Sequence, residues 1–352
     1  MLLGSQSVKE IFLSLGIGAA GGYVFFRWHM PLPWMLGSMI FVSVSAFLGV
    51  PVRRYMPLRN IMVAVLGILL GSFFTMEVIK QLTTWGNIAL IMLGYVMATT
   101  VSSFVIFRWI AGMDRTTAFF SSTPGGLGVM AIAGEQAGGD NQQIPIAHAT
   151  RVFLVVLVVP VYLAAIGSVD VADARLMLDS PGLYPDNREI VILLICGIAG
   201  YWLANRLDLS FSQILGPMIL AGFAYASGLV ETPLPTLLVM AAQVVIGSAI
   251  GAQFRGMRLV SMLRPAISAS VVTGVMLVVA AGLARLSAPI LDIKEETLLL
   301  ALAPGGLAEM SLIAISMDAD TALIAIMHIL RITLIVVAGP PLFRIIQKQW
   351  HR

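Results

Sequence analysis

The stretch "HATRVFLVVLVVP" at residues 148–160 places a histidine and an arginine three residues apart at the start of an apolar run. The pattern returns 180 residues later as "HILRITLIVVAGP" at residues 328–340. The shared residues are His148, Arg151 and Pro160 in the first copy and His328, Arg331 and Pro340 in the second. The same His-x-x-Arg motif at the start of two apolar runs indicates an internal duplication of the chain.

The composition of the 352-residue chain is that of a membrane protein. Hydrophobic residues make up 59% of it, charged residues 11%, and the mean hydropathy is +0.94. A soluble domain usually carries about 25% charged residues, so this chain has too few polar side chains to cover a globular core. We therefore predict a polytopic membrane protein.

Charge, cysteine content and the N-terminal sequence limit which partners, metal sites and leader sequence this membrane protein is predicted to have. The net charge of +3 comes from cations in short connectors, with no continuous basic arm, so no nucleic-acid partner is predicted. The single cysteine, Cys196, excludes a disulfide framework and a Cys-based metal site. No basic region precedes the apolar residues 9–26, which are read as a first membrane span rather than a cleaved signal peptide.

Twelve apolar segments follow one another along the chain, and one polar stretch divides them into two sets of six. This stretch, residues 170–188, is rich in Asp and Pro and predicts a linker. The predicted domains are membrane repeat 1 (1–169), the polar linker (170–188) and membrane repeat 2 (189–352). The segments are 9–26, 32–50, 60–77, 87–107, 117–134, 146–169, 189–205, 211–230, 236–254, 266–285, 297–316 and 323–343.

Sliding the second half over the first by 179–180 residues aligns glycines, arginines and whole motifs. "PGGL" at 124–127 meets "PGGL" at 304–307, and the two His-x-x-Arg motifs coincide. The pairs Gly67-x-x-x-Gly71 and Gly247-x-x-x-Gly251 also align, and this spacing favours close packing of helices.

The positive-inside rule predicts that the two copies are inverted. The basic connector of the first half precedes the Gly67 helix, whereas that of the second half follows the Gly247 helix. Both connectors can be cytoplasmic only if the copies face opposite ways. The cations are Arg53, Arg54 and Arg59 in the first half and Arg255, Arg258 and Arg264 in the second.

Inversion requires an odd number of crossings in each half, so one of the six segments should not cross. The PGGL segment is the best candidate, because Pro and Gly interrupt it and polar residues flank it. The predicted fold is an all-α polytopic membrane protein of two inverted repeats, each with about five transmembrane helices and one re-entrant PGGL hairpin. Both termini would then be cytoplasmic.

The two PGGL segments form the first candidate site. Pro removes a backbone donor, Gly-Gly permits a tight turn, and a helix that starts there points its free N–H groups at the turn. Two such interruptions in matched positions point to a transporter site. The alternative is a plain interfacial turn. The predicted binding residues are Thr123, Pro124, Gly125 and Gly126 in the first copy and Pro304, Gly305 and Gly306 in the second.

The His-x-x-Arg pairs form the second candidate site. His148 and Arg151 share one helical face, as do His328 and Arg331. If the arginines face the interior they can hold an anionic group, with histidine adding a hydrogen bond or a proton. The alternative is that both arginines snorkel to the membrane interface.

Three carboxylates complete the candidate residues. Glu309 follows the second PGGL and aligns with Val129, so it breaks the symmetry of the repeat. It is read as a site for a coupling ion or proton, or alternatively as a solvated residue or a partner of Arg331. Asp140 and Asp320 align at the ends of the two segments, where helix capping is the favoured role.

The two PGGL segments, each followed at a fixed distance by His-x-x-Arg and an apolar span, resemble the AbrB duplication family of bacterial inner-membrane proteins. The resemblance covers about residues 9–345. Members are often labelled regulators or ammonia monooxygenases, and the family shares only its name with a small soluble DNA-binding regulator. The family is also distantly similar to inverted-repeat carriers of organic anions and sodium-coupled solutes, whose sites are formed by broken helices. The resemblance to the AbrB family implies a multi-pass protein of the bacterial inner membrane.

The function that these patterns favour is a secondary transporter of a small anionic solute, a carboxylate or an amino acid, by alternating access. The alternative is a membrane regulator or sensor without solute flux. An enzyme is not expected, since the four histidines show no metal-site spacing. No cofactor is expected beyond a coupling ion, sodium or a proton. The expected partners are the solute and the lipid bilayer, with a homodimer as in many carriers.

Overall fold

The chain is all-helical over the residues that the computed structural model describes, which are 5–30, 32–73, 86–165, 185–207, 212–232, 234–256, 259–317 and 319–350. These residues form fourteen α-helices and no strand. A π-helical turn, Ile106–Ile110, extends α4, and a 3₁₀ turn, Ala252–Phe254, extends α10. The helices are α1 (Ser5–Arg27), α2 (Pro33–Phe47), α3 (Met56–Gly71), α4 (Gly86–Val105), α5 (Arg115–Ser122), α6 (Leu127–Gln136), α7 (Gln143–Ala165), α8 (Asn187–Arg206), α9 (Ser212–Ala226), α10 (Thr236–Gly251), α11 (Leu259–Leu291), α12 (Glu295–Leu302), α13 (Leu307–Ser316) and α14 (Thr321–Trp350).

Seven helices of the described residues, α1, α4, α7, α8, α10, α11 and α14, are long and apolar enough to cross a membrane. Ten of the twelve predicted apolar segments correspond to one helix each. The two PGGL segments are each split into a pair of short helices, α5 with α6 and α12 with α13. A helix of 8 to 10 residues is about 12–15 Å long, which is half of the hydrocarbon layer, so neither member of a pair spans it alone.

The helix bounds repeat along the chain. The bounds of α3, α5 and α6 recur after 180 residues as those of α10, α12 and α13, and the bounds of α2 recur after 179 residues as those of α9. Most of the predicted linker 170–188 lies outside the described residues. Its last residues belong to α8, which begins at Asn187 after an Asp186 cap.

Aspartate caps begin several helices. Asp114 accepts hydrogen bonds from the backbone N–H groups of Thr116 and Thr117 at the start of α5. Asp140 accepts from the N–H groups of Gln142 and Gln143 at the start of α7, at 2.8 and 2.9 Å. The capping role predicted for Asp140 is therefore confirmed.

The described helices belong to two compact units that each take segments from both halves of the chain. The first unit comprises Met1–Leu82, Pro160–Met257 and Ser311–Ala322. The second comprises Thr83–Val159, Arg258–Met310 and Leu323–Arg352.

Close backbone contacts at glycine hold the first unit together. A methyl group on Gly67 of α3 would lie 2.5 Å from the carbonyl oxygen of Ile214 in α9. A methyl group on Gly247 of α10 would lie 2.5 Å from the carbonyl oxygen of Met35 in α2. Both predicted glycine pairs therefore lie at helix–helix contacts, as the packing interpretation requires. Each of these contacts joins a helix of one half to a helix of the other.

Glu10 of α1 brings the basic connectors of both halves to one place in the first unit. Arg255 donates two hydrogen bonds to its carboxylate, at 2.8 and 2.9 Å, and Arg53 lies 3.7 Å from the same group. The Arg53 connector precedes α3, whereas Arg255 follows α10, the equivalent helix. The two connectors therefore lie on the same side of this unit.

The second unit packs α4, α5, α7 and α11 around small and aromatic side chains. One buried cluster joins Phe107 and Met113 to Ala118 of α5, Ala147 of α7 and Met276 of α11. The rings of Phe119 and Phe120 pack against Phe343 of α14, with centroids 5.2 and 4.8 Å apart. This unit contains every residue of the predicted binding site.

Candidate functional site

Two four-residue breaks, 123–126 between α5 and α6 and 303–306 between α12 and α13, form the frame of the site. In the first break the N–H of Gly125 donates to the carbonyl of Thr123 at 2.9 Å, and in the second Gly305 donates to Ala303 at 2.8 Å. Gly126 has a φ of +65°, a conformation that glycine adopts without a steric penalty. The residues 123–126 and 303–305 are buried, and Gly306 is partly buried.

The helices on either side of the first break fold back on each other. The backbone N–H of Asp140, after α6, donates to Thr117 Oγ1 of α5 at 2.8 Å. A methyl group on Gly134 of α6 would lie 3.1 Å from the side chain of Phe120. The start of α5 and the residues that follow α6 therefore lie next to each other.

Each histidine is anchored to the short helix that precedes its break. Nε2 of His148 lies 2.9 Å from the carbonyl oxygen of Phe120, and Nε2 of His328 lies 2.9 Å from that of Leu300. Both histidines are fully buried. Since a carbonyl only accepts, Nε2 carries the proton in both rings.

Each arginine is anchored to the break itself. Arg151 donates to the carbonyl of Thr123 and Arg331 to that of Ala303, the equivalent residue. Their side chains are buried, with exposed fractions of 4% and 0%. The snorkelling alternative is therefore wrong: neither guanidinium reaches a surface. Both instead meet carbonyls beyond the C-terminal ends of short helices, where a cation is favourable.

The first break also packs against α14. A methyl group on Gly125 would lie 3.2 Å from Ile335 Cδ1, and one on Gly126 would lie 3.2 Å from Val336 Cγ2. Ile335 is one helical turn beyond Arg331. The first break and the second His–Arg helix are therefore neighbours.

Tyr95 of α4 lies in the same unit as these pairs, although no pattern in the chain selected it. Its ring is fully buried, and its hydroxyl lies 3.5 Å from the carbonyl oxygen of Met276. The available signal was a lone tyrosine in a long apolar helix, without a counterpart in the second half.

Glu309 is the third residue of α13 and is buried, with 5% of its surface exposed. Its carboxylate folds back over Gly306 at the start of the helix. The structure shows neither a solvated residue nor, within the described part of the chain, an ion pair between Glu309 and Arg331. A carboxylate in the first turn is favoured by the helix dipole.

Some buried polar atoms around the breaks lack a partner. Among the described residues these include Nδ1 of His148 and Nε of both Arg151 and Arg331. No three His, Cys, Asp or Glu side chains of the described residues lie close enough to hold a metal ion. Buried cationic and hydrogen-bonding groups with unused capacity suit an anion better than a metal ion.

The fold and the site together define a class: over the described residues it is an all-helical protein, with several helices long and apolar enough to cross a membrane and two matched helix breaks, each contacted by an arginine. The model of the family described as "Transition state regulatory protein AbrB" matches residues 34–347. The chain belongs to this family.

Two relatives extend the comparison over nearly the whole chain. A Bacillus subtilis (strain 168) protein named "Uncharacterized protein YhjN" is 24% identical over 365 aligned positions, covering 96% of this chain and 93% of the relative. An Escherichia coli (strain K12) protein named "Putative regulator AbrB" is 25% identical over 348 positions, covering 97% and 96%.

Proposed function

We propose that this protein is a secondary transporter of a small anionic solute, a carboxylate or an amino acid, which works by alternating access around the two helix breaks. One observation carries the proposal: two equivalent His–Arg pairs are buried against two equivalent breaks. Broken helices in matched positions of a repeat are the usual construction of a transporter site.

The electrostatics of the second unit favour an anion. Two guanidinium groups are buried, and among the described residues neither makes an ion pair with a carboxylate. A buried cation without a counter-ion is costly, even when backbone carbonyls solvate part of it. An anionic solute would supply the missing charge.

The inverted arrangement that alternating access needs has support in the first unit. The Arg53 and Arg255 connectors both meet Glu10, although one precedes its helix and the other follows the equivalent helix. The helix α3 starts on the side where its equivalent α10 ends, so the two helices run in opposite directions. With α5 and α6 as a re-entrant hairpin, each half has five crossings and both termini are cytoplasmic, in the bacterial inner membrane.

The name of the E. coli relative favours a second candidate, a membrane regulator without solute flux. A regulator would bind its ligand at the same breaks and pass no solute. We propose no catalytic role.

The test begins with ligand binding by purified protein in detergent. Monocarboxylates, dicarboxylates and amino acids, each with and without sodium, are screened by thermal unfolding. A ligand at 100 times its dissociation constant should add about 2.7 kcal/mol, which raises the unfolding midpoint by about 4 °C for a chain this large.

Each stabilising solute is then offered to proteoliposomes as a radiolabelled compound. Uptake driven by a sodium or proton gradient, abolished by Arg151→Ala and kept by Arg285→Ala, is the expected result; Arg285 is an exposed arginine of α11. Binding without uptake would favour the regulator. The absence of both binding and uptake would overturn the proposal.

A further inference from the structure

The hydrogen bonds of Arg331 hold the second break together. Besides Ala303, its guanidinium donates to the carbonyls of Leu302 at 3.2 Å and Gly305 at 2.7 Å. Its Nη2 also lies 2.8 Å from Nδ1 of His328. Because Nε2 of His328 donates to Leu300, Nδ1 is the acceptor, and the histidine is satisfied as a neutral ring. Arg331 and His328 therefore tie the end of α12 to the break.

The equivalent side chains of the first half, Arg151 and His148, have hydrogen-bonding groups that remain unused. Arg151 donates to one carbonyl, that of Thr123, whereas Arg331 donates to three; Nε has no partner in either arginine among the described residues. Nδ1 of His148 also lacks a partner there, but it is an acceptor because Nε2 carries the proton, so it does not bind an anion. The side chain of Arg151 is more than nine-tenths buried. An unpaired buried polar group is costly, so the unused N–H donors of Arg151 mark where an anionic group would be stabilised.

The buried charges indicate how many negative charges the ligand carries. The buried side chains of the described residues that carry a formal charge are Arg151, Arg331 and Glu309. Two positive formal charges and one negative formal charge leave a net formal charge of +1. A single anionic group neutralises this, whereas a dianion would leave an excess negative charge in a buried site.

We propose that the two His–Arg pairs have different roles: His328 and Arg331 stabilise the second break, while Arg151 of the first pair binds the single anionic group of a monoanionic solute. The assignment of solute binding to the first pair rests on the proposed function. The stabilising role of His328 and Arg331 does not depend on it.

The duplication supplies matched variants for the test. Arg→Lys keeps the positive charge but removes the planar guanidinium with its several N–H donors. Arg331 uses both Nη atoms to bond to the break, whereas Arg151 bonds through one. His→Gln removes the ring but keeps a donor for the Phe120 or Leu300 carbonyl. Thermal unfolding without ligand should show midpoints lowered by at least about 5 °C in R331K and H328Q, and by less than about 2 °C in R151K and H148Q. Equal losses, or larger losses in R151K and H148Q, would overturn the division of roles.

The binding half is tested with butyrate and succinate, which share a four-carbon skeleton and carry one and two negative charges. Butyrate should raise the unfolding midpoint of the wild type and succinate should not. The butyrate shift should disappear in R151K and persist in H328Q, whose lower baseline does not prevent the comparison.

An equal or larger shift with succinate, a shift that survives R151K, or no shift with either compound would overturn the monoanion assignment. Failure of the proposed function is separate from all of these. It would appear as butyrate binding without uptake into proteoliposomes, with the difference in stability between R331K and R151K unchanged.

Discussion

At the scale of single residues, each arginine completes the helix break that it contacts. A short helix that stops in the protein interior leaves backbone carbonyls without partners. Arg151 and Arg331 donate to such carbonyls 28 residues earlier in the chain, at Thr123 and Ala303. This contact explains the fixed distance between PGGL and His-x-x-Arg. The guanidinium donates to a carbonyl of the break, so moving either motif along the chain would break the hydrogen bond.

Glu309→Gln tests the charge balance of the site. The substitution removes the negative charge and keeps the shape, which raises the buried net charge from +1 to +2. We expect the ligand preference to move from butyrate to succinate, with a change in stability of no more than about 1 kcal/mol, because the interaction of one carboxylate with a helix dipole is small.

The preference is measured by the shift of the unfolding midpoint with each compound. Glu135→Gln is the control, because Glu135 is an exposed residue of the matched helix α6. An unchanged preference for butyrate in Glu309→Gln would contradict the charge balance.

At the scale of helices, the Asp140 cap fixes where α7 begins and so where its His–Arg pair lies. Burial alone would raise the pKa of Asp140, but hydrogen bonds from Gln143 and Gln142 lower it below its usual value. A lowered pKa in the folded state means that the cap stabilises above the unfolded-state pKa and that this contribution is lost as the pH falls through the folded-state pKa.

Asp140→Ala should therefore cost about 1 kcal/mol at pH 7, and the difference from wild type should shrink once the pH falls below about 4. Thermal unfolding at pH 7 and in steps below pH 4 measures both effects. Asp140→Asn is the control, since an amide keeps the cap without the titration. A difference that stays constant through the acid range would argue against a titrating cap.

Gly247→Val tests the packing of α10 on α2. The side chain would collide with backbone at Met35, which cannot move without shifting a helix. We expect a loss of at least about 2 kcal/mol, within the usual range for overpacking.

Gly16→Val of α1 is the matched control, because a methyl group there would meet no atom within 4 Å. It carries the same change in helix propensity without the collision. The two variants are compared by thermal unfolding in detergent, and equal midpoints would contradict the close-contact role.

At the scale of the whole molecule, the proposed inversion makes a topological prediction. In a chain without its native thiol (Cys196→Ser), Arg54→Cys and Arg255→Cys should react with a membrane-impermeant maleimide from the cytoplasmic side. Ser227→Cys, in the connector between α9 and α10, should react only from the opposite side. All three positions are exposed.

Labelling is measured in intact cells and in inside-out vesicles. Losing the exposed ion pair of Arg255 should cost no more than about 1 kcal/mol, so that variant should still fold. Reaction of Arg54→Cys and Arg255→Cys from opposite sides would exclude the inverted arrangement.

The sequence predicted the helices well because their signals are local. Hydropathy located ten of twelve segments as single helices, and Pro-Gly-Gly located the two breaks. The role of Asp140 was also predictable, since a cap needs only its neighbours. Tyr95 could not be selected, because its burial and its contact with Met276 depend on how α4 packs against α11.

By itself, the sequence determined the membrane class, the repeated helices, the breaks and the pairing of histidine with arginine. These features follow from the composition, from the periodicity and from the duplication, because each motif occurs in both halves of the chain. Only the tertiary structure decided that the arginines are buried rather than snorkelling, that the first break packs on α14, and that Arg331 donates to three carbonyls while Arg151 donates to one. The reason is physical: a side chain's partners depend on how its helix is rotated and docked against others, which helix-forming patterns along the chain do not specify.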